Sequence, residues 1–216
     1  MKKSKNTLFA DIRSHEIRDW ERILSVSQKE YTILDIETTG IHSDITELAA
    51  MRVKKGKVSE RYHTLVKPRG AMERRVVEMT GITPSLVKNA LPAEEVLPSF
   101  IGFLGKDILM GHGLDSDLIV LARNLVALGK PLLDNEYIDT HTLAREVISG
   151  EAVEGKYSVQ ALCAYYQLPC TTFHRALADC EAEKLVFESL VKDKKYGQNK
   201  NFPYKERNKK TFDCSD

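Results

Sequence analysis

The sequence has no long apolar run. No stretch of its 216 residues approaches the ~20 apolar residues needed to span a membrane. Its basic start, residues 1–6, is not followed by the apolar region of a secretory signal, because charged residues such as Asp11 and Glu16 come too soon. We therefore expect a cytoplasmic protein with no membrane partner.

Cysteine is scarce and irregularly spaced. The chain contains four cysteines, none of them in the CxxC spacing typical of zinc or redox sites: Cys163, Cys170, Cys180 and Cys214. This pattern predicts reduced core or surface thiols rather than a disulfide framework or a zinc site.

The chain also lacks net charge of one sign, since its formal charge is only +1. No overall field therefore indicates a polyanionic partner. The tail after residue 191 differs, because it carries eight basic and four acidic residues, with Phe202, Tyr204 and Phe212 interspersed. A solvated, flexible end is the favoured interpretation. Basic residues interleaved with aromatic ones are also found where proteins hold a nucleic-acid strand, and this is the minority alternative.

The hydrophobic pattern predicts one main domain with an extension at each end. We place an N-terminal helical extension at residues 1–30, the main domain at 31–192 and a basic, flexible tail at 193–216. Period-two alternation predicts an antiparallel meander, and helical periodicity follows it. The predicted strands are 31–36, 45–53, 58–66, 107–110 and 137–139, and the predicted helices are 7–27, 92–104, 118–128, 159–166 (capped by Ser158) and 176–191. This order indicates an α/β fold with a mixed sheet flanked by helices.

The first strand ends in two acids one residue apart. Asp35 and Glu37 lie on the same face of a strand, because strand side chains alternate between faces. Adjacent carboxylates repel each other unless a cation lies between them, and oxygen ligands favour Mg²⁺ or Mn²⁺. Two surface acids in a solvated turn are an equally good interpretation of this pair alone.

Two later segments offer further acids. A glycine-rich turn that starts with His112 leads to Asp115 and Asp117, either of which would point from a helix start into a cleft. The second segment places His174 just before a helix and Asp179 in its early turns. A histidine in an exposed loop suits a general base. The alternatives are a surface histidine and acids that only stabilise a helix N-terminus.

Together the three segments resemble the exonuclease motifs of a known family. Asp35-Ile-Glu37-Thr-Thr-Gly40, His112-Gly-Leu-Asp-Ser-Asp117 and His174-Arg-Ala-Leu-Ala-Asp179 are similar, in this order, to motifs of the DEDD superfamily, histidine subtype. This superfamily includes epsilon proofreading subunits and ribonuclease T. The resemblance spans residues 31–190 and implies a ribonuclease H-like fold, in which a mixed five-stranded sheet is flanked by helices.

The resemblance also implies roles for individual residues. It makes Asp35, Glu37, Asp117 and Asp179 the ligands of two divalent cations, Mg²⁺ or Mn²⁺, and it makes His174 the general base. It places the substrate against Thr38, Thr39, Gly40, Thr80 and His112. Thr80 has turn capping as its alternative role, and His112 has a structural one. Glu47 matches a family acid that is not a ligand, and we interpret it as structural.

Gly113 and Ser116 depart from the family, which often has asparagine and phenylalanine at these positions. Losing the phenylalanine removes an apolar wall beside the terminal nucleotide.

The implied function is a metal-dependent 3′–5′ exonuclease. It would remove 5′-mononucleotides from the 3′ end of single-stranded DNA, as an epsilon-like enzyme does. An RNA-trimming enzyme or oligoribonuclease is the alternative within the enzyme class, so single-stranded DNA or RNA 3′ ends are the expected partners. Association with a DNA polymerase stays open. A non-catalytic, polymerase-associated nucleic-acid-binding module is the alternative of another class.

Overall fold

A five-stranded mixed sheet forms the centre of the protein. The structure is a computed structural model that describes residues 10–40 and 44–197. The strands are β1 (Glu30–Thr38), β2 (Ile45–Lys54), β3 (Lys57–Leu65), β4 (Leu109–Gly111) and β5 (Tyr137–Asp139). They lie in the order β3-β2-β1-β4-β5. The β1–β2 and β2–β3 pairs are antiparallel, and the β1–β4 and β4–β5 pairs are parallel. The predicted fold class is confirmed.

Helices cover both faces of this sheet. They are α1 (Trp20–Ser27), α2 (Arg74–Thr80), α3 (Pro84–Val87), α4 (Ala93–Leu104), α5 (Leu114–Ala127), α6 (Thr140–Val147), α7 (Val159–Tyr165) and α8 (Ala176–Tyr196). Ser158 caps α7 by accepting the backbone N–H of Ala161, as predicted. No helix within the described ranges is both long and apolar enough to span a membrane.

Strand β1 divides the hydrophobic core in two, because its side chains alternate between the faces of the sheet. Ile33 is buried in a cluster with Phe187 of α8. Leu34 is buried in the opposite cluster with Phe100 of α4. The same alternation directs Asp35 and Glu37 to the α8 side of the sheet. The register of one buried strand therefore decides on which face the acid pair lies.

The N-terminal segment is not the single helix that we predicted over residues 7–27. A helical turn ends at Arg13, residues 14–19 are not helical, and α1 begins only at Trp20. Residues 7–9 of the predicted helix lie outside the described residues. Tyr137 of β5 donates its N–H to the carbonyl of His15 and accepts the N–H of Ile17. Hydrogen bonding to β5 overrides the local helical pattern, and residues 15–17 cover this edge of the sheet.

Other differences are local. The periodic stripe predicted a helix from residue 118, but α5 begins at Leu114, because Gly113 adopts a left-handed conformation (φ 68°) that starts the helix after β4. Helices α2, α3 and α6 were not predicted from the sequence. Helix α8 continues to Tyr196, and residues 198–216 of the basic tail lie outside the described residues. The division into three parts remains a prediction. Cys163, Cys170 and Cys180 are free thiols, and Cys214 lies outside the described residues.

Candidate active site

Three carboxylates converge between β1 and α8. Asp35 and Glu37 extend from the end of β1 toward the helix, and Asp179 lies in the first turn of α8. One carboxylate oxygen from each of these three residues lies within 4.8 Å of the others. Such a group of oxygen atoms is the donor set that Mg²⁺ and Mn²⁺ prefer, so these residues fit a hard divalent cation.

Asp117 acts on the acids of β1, whereas the side chain of Asp115 is held in an ion pair with Arg13. Both acids lie in the first turn of α5. Asp115 turns away to accept hydrogen bonds from the guanidinium of Arg13, at 3.1 Å from Nε and 2.9 Å from Nη2. The charge of Asp117 instead acts on Asp35. The structure therefore brings together the four acids that the resemblance implied and directs Asp115 toward a surface ion pair.

The acids of the cluster repel one another. Burial raises the pKa of Asp35 well above its usual value, and the charges of Asp117, Glu183, Glu37 and Asp179 raise it further. Burial, with the charge of Asp179, raises the pKa of Glu37 to about 7. Burial is also the main cause of the raised pKa values of Asp117 and Asp179. A divalent cation among these groups would remove much of this repulsion.

Glu183 is a fifth acid that sequence reasoning missed. It is 1% exposed, and its Oε1 accepts the backbone N–H of His112 at 3.1 Å. Among the described residues, its Oε2 has no hydrogen-bond partner. Burial raises its pKa well above the usual value, and the charges of Asp117 and Asp179 add to this effect. The only signal in the sequence is its spacing, since residues four apart share a helix face and Glu183 follows Asp179 by four.

We predict that Glu183→Gln stabilises the metal-free protein, increasingly so as pH rises. The raised pKa means that the folded protein binds a proton at Glu183 that the unfolded chain has lost. The contribution of Glu183 to the stability of the wild type therefore falls as pH rises above the pKa that this residue has in the unfolded chain. Glutamine has no proton to lose, so the variant shows no such fall. Thermal unfolding in EDTA between pH 5 and 9 measures the difference. Glu181→Gln, an exposed change on the same helix, should show no such trend. A Glu183→Gln variant that is less stable at every pH would contradict this interpretation.

His174 lies at the edge of the cluster in an exposed loop. It adopts a left-handed backbone conformation (φ 62°) and immediately precedes Arg175, the N-cap residue of α8. The carboxylate of Asp179 accepts the backbone N–H groups of His174 and Arg175, the latter at 3.0 Å. The side chain of His174 is thus accessible, while its backbone is hydrogen-bonded to a member of the acid cluster. Accessibility beside the acids is what a general base requires.

The loop after β1 lies next to the acids. The β1–β2 register shifts between Glu37 and Thr38, an irregularity that bends the strand just before it ends. The carbonyl of Thr39 accepts the N–H of Glu73 at 2.9 Å. Gly40 has a φ of 145°, and a Cβ at this position would lie 2.0 Å from Oε1 of Glu73. Glycine therefore permits a close approach at this turn.

Thr80 and His112, the other two predicted substrate contacts, have structural partners. The hydroxyl of Thr80 donates to the carbonyl of Val76 at 2.9 Å and accepts the N–H of Ile82 at 3.0 Å. The Nδ1 of His112 lies 3.0 Å from Oγ1 of Thr140. Burial and the neighbouring His141 lower the pKa of His112 to about 4. These contacts fit the capping and structural roles kept open for the two residues, and a substrate role for either remains a prediction.

Comparison with known proteins places most of the chain in one family. The family model for RNase T exonucleases matches residues 32–187. PolC-type DNA polymerase III of Thermotoga petrophila is 32% identical over 178 residues, which cover 81% of this chain and 13% of that protein. DNA polymerase III subunit epsilon of Aquifex aeolicus is 29% identical over 187 residues, which cover 84% of this chain and 91% of the subunit.

A solved structure agrees with these sequence relatives. Exonuclease X in complex with 5′ overhanging duplex DNA has a TM-score of 0.60 and 27% sequence identity, and the match covers 77% of this chain and 93% of that one. The chain therefore spans a small part of the PolC-type polymerase and nearly all of the epsilon subunit and of exonuclease X. The chain belongs to the exonuclease family, within the DEDD superfamily of 3′–5′ exonucleases.

Proposed function

We propose that this protein is a metal-dependent exonuclease that removes 5′-mononucleotides from the 3′ end of single-stranded DNA. One observation carries the proposal: acids from β1, α5 and α8 converge on one cluster, with His174 at its edge. Asp35, Glu37, Asp117 and Asp179 would hold two Mg²⁺ or Mn²⁺ ions. When bound, such ions supply a nucleophilic hydroxide at neutral pH and stabilise the charge on the leaving oxygen.

The residues of the chain supply the remaining chemistry. A ring nitrogen of His174 accepts a proton from the attacking water. The new P–O bond forms as the bond from phosphorus to the 3′-oxygen of the preceding nucleotide breaks, which releases a 5′-mononucleotide. The backbone of residues 38–40 would contact the terminal nucleotide, and Gly40 permits the tight turn of this segment against Glu73. Partial burial of the acids strengthens the charge interactions within the cluster.

Named relatives favour DNA as the substrate. Two of them are DNA polymerase III proteins, and exonuclease X was solved with a DNA duplex that carries a 5′ overhang. RNA remains the alternative, because discrimination requires a contact to the ribose 2′-hydroxyl and no described residue identifies one. Association with a DNA polymerase and a cytoplasmic location belong to the same proposal.

Initial rates on matched 5′-labelled DNA and RNA oligonucleotides test the substrate. We expect Mg²⁺-dependent shortening of single-stranded DNA, faster than that of RNA of the same sequence, and no shortening in EDTA. Faster cleavage of RNA would favour the RNA-trimming alternative. Nucleic-acid binding without cleavage in Mg²⁺ or Mn²⁺ would favour the non-catalytic module. Such a module has no chemical need for all four acids and His174, which is why we favour the enzyme.

A further inference from the structure

Glu47 joins β2 to the start of α8 at the point where His174 lies. Its side chain is 0% exposed, and it pairs with Glu37 across the β1–β2 register. Its Oε1 accepts a hydrogen bond from Nη2 of Arg175 at 2.7 Å. Both of its oxygens also accept from Nε of Arg175, each at 3.2 Å. Its Oε2 also accepts the backbone N–H of Ala176 at 2.8 Å. We call this set of contacts the Glu47–Arg175 brace.

The brace keeps a buried carboxylate charged. Burial alone would raise the pKa of Glu47, but hydrogen bonds from Arg175, His63 and the backbone of Ala176 outweigh it, so the pKa lies below its usual value. Nε2 of His63 lies 2.8 Å from Oε1 of Glu47. A charged pair joined by several hydrogen bonds in this position holds a defined geometry, because losing Arg175 leaves the buried charge of Glu47 uncompensated.

The brace acts on the backbone directly after His174. Arg175 and Ala176, which both donate hydrogen bonds to Glu47, directly follow His174 in sequence. His174 itself adopts a left-handed conformation. Such a conformation is unfavourable for a non-glycine residue and persists only where neighbouring contacts impose it. The backbone at His174 sets the direction of the Cα–Cβ bond from which the exposed imidazole extends.

We propose that Glu47 and Arg175 are positioning residues that hold His174 in the orientation required of a general base. The inference rests on the proposed exonuclease function. It assigns the brace an effect on the proton-transfer step rather than on substrate affinity. Loss of the brace lets residues 174–176 leave the strained conformation, which moves the imidazole away from the attacking water. Misplacement by about 1 Å can cost roughly 100-fold in rate.

A double-mutant cycle tests the proposal. Glu47→Gln keeps the shape of the side chain and removes its charge, and His174→Asn removes the base while tolerating a left-handed backbone. In the wild-type background, we expect Glu47→Gln to lower kcat about 10–100-fold, with KM nearly unchanged. In the His174→Asn background, we expect the same change to lower kcat by less than about 3-fold, because the group through which it acts is gone.

Equal losses in the two backgrounds would overturn the proposal, since a merely structural role does not depend on the histidine. An unchanged kcat in Glu47→Gln would overturn it as well. If Glu47→Gln does not fold, the same cycle is run with Arg175→Lys, which keeps the charge but loses the guanidinium fork. Arg175→Lys should keep more activity than Arg175→Met. Glu188→Gln, a change in the Lys184 ion pair farther along α8, serves as the control and should leave kcat unchanged.

The cycle also separates this inference from the proposed function. A wild-type protein without nuclease activity refutes the function and the brace together. An active wild type with additive losses at Glu47 and His174 refutes only the brace.

Discussion

Replacing Asp35 with asparagine should lower the exonuclease rate about 1,000-fold or more, which corresponds to at least about 4 kcal/mol in activation free energy. Asp35 is the acid on which the charges of the other four act, so its loss removes the carboxylate most central to the ion site. The same change should make the metal-free protein more stable, because it removes one of several buried like charges. Initial rates in saturating Mg²⁺ and thermal unfolding in EDTA measure the two effects.

The opposite signs of these effects exclude misfolding as the cause of lost activity. Asp115→Asn is the matched control, since Asp115 lies on the same helix turn as Asp117 but pairs with Arg13. We expect its rate to stay within about 2-fold of wild type, as for most surface changes, whereas Asp117→Asn should behave like Asp35→Asn. A rate loss in Asp115→Asn equal to that in Asp117→Asn would contradict the assignment of the fourth acid.

Replacing His174 with asparagine should lower kcat roughly 100- to 10,000-fold, the usual contribution of a general base. It should leave metal binding intact, because the carboxylates hold the ions. The increase in melting temperature produced by Mg²⁺ should therefore match that of the wild type, whereas Asp35→Asn should lose most of it. Thermal unfolding with and without Mg²⁺, together with kcat, separates the base from the ligands. A His174→Asn variant that loses the Mg²⁺ effect would make His174 part of the ion site.

The fold could be predicted where the sequence pattern is local and strong. The buried run of β1 and the alternation in β2 determine which face Asp35 and Glu37 share, so the first half of the site follows from strand geometry. The early start of α5 does not follow from its apolar stripe, because it depends on the left-handed Gly113. The break before α1 depends on hydrogen bonds to Tyr137, a residue over a hundred positions away.

The rest of the site depends on contacts that no single segment contains. Sequence spacing from His112 favoured Asp117 over Asp115 only through the family resemblance, whereas the structure gives a physical reason in the Arg13 ion pair. Glu183 becomes part of the cluster only when α8 packs on the sheet. From the sequence alone, Glu47 is only one more structural acid. Its effect on the backbone next to His174 becomes visible only through its hydrogen bonds to Arg175 and Ala176.

The order in which products appear from a single-stranded DNA labelled at its 5′ end tests whether the protein is a metal-dependent 3′–5′ exonuclease. With Mg²⁺, we expect a ladder that shortens one nucleotide at a time from the 3′ end, with the label retained on the shortened strands and unlabelled 5′-mononucleotides released. EDTA or Asp35→Asn should stop the ladder. Early release of the label, internal cuts, or a ladder that persists in EDTA would contradict a metal-dependent 3′–5′ exonuclease.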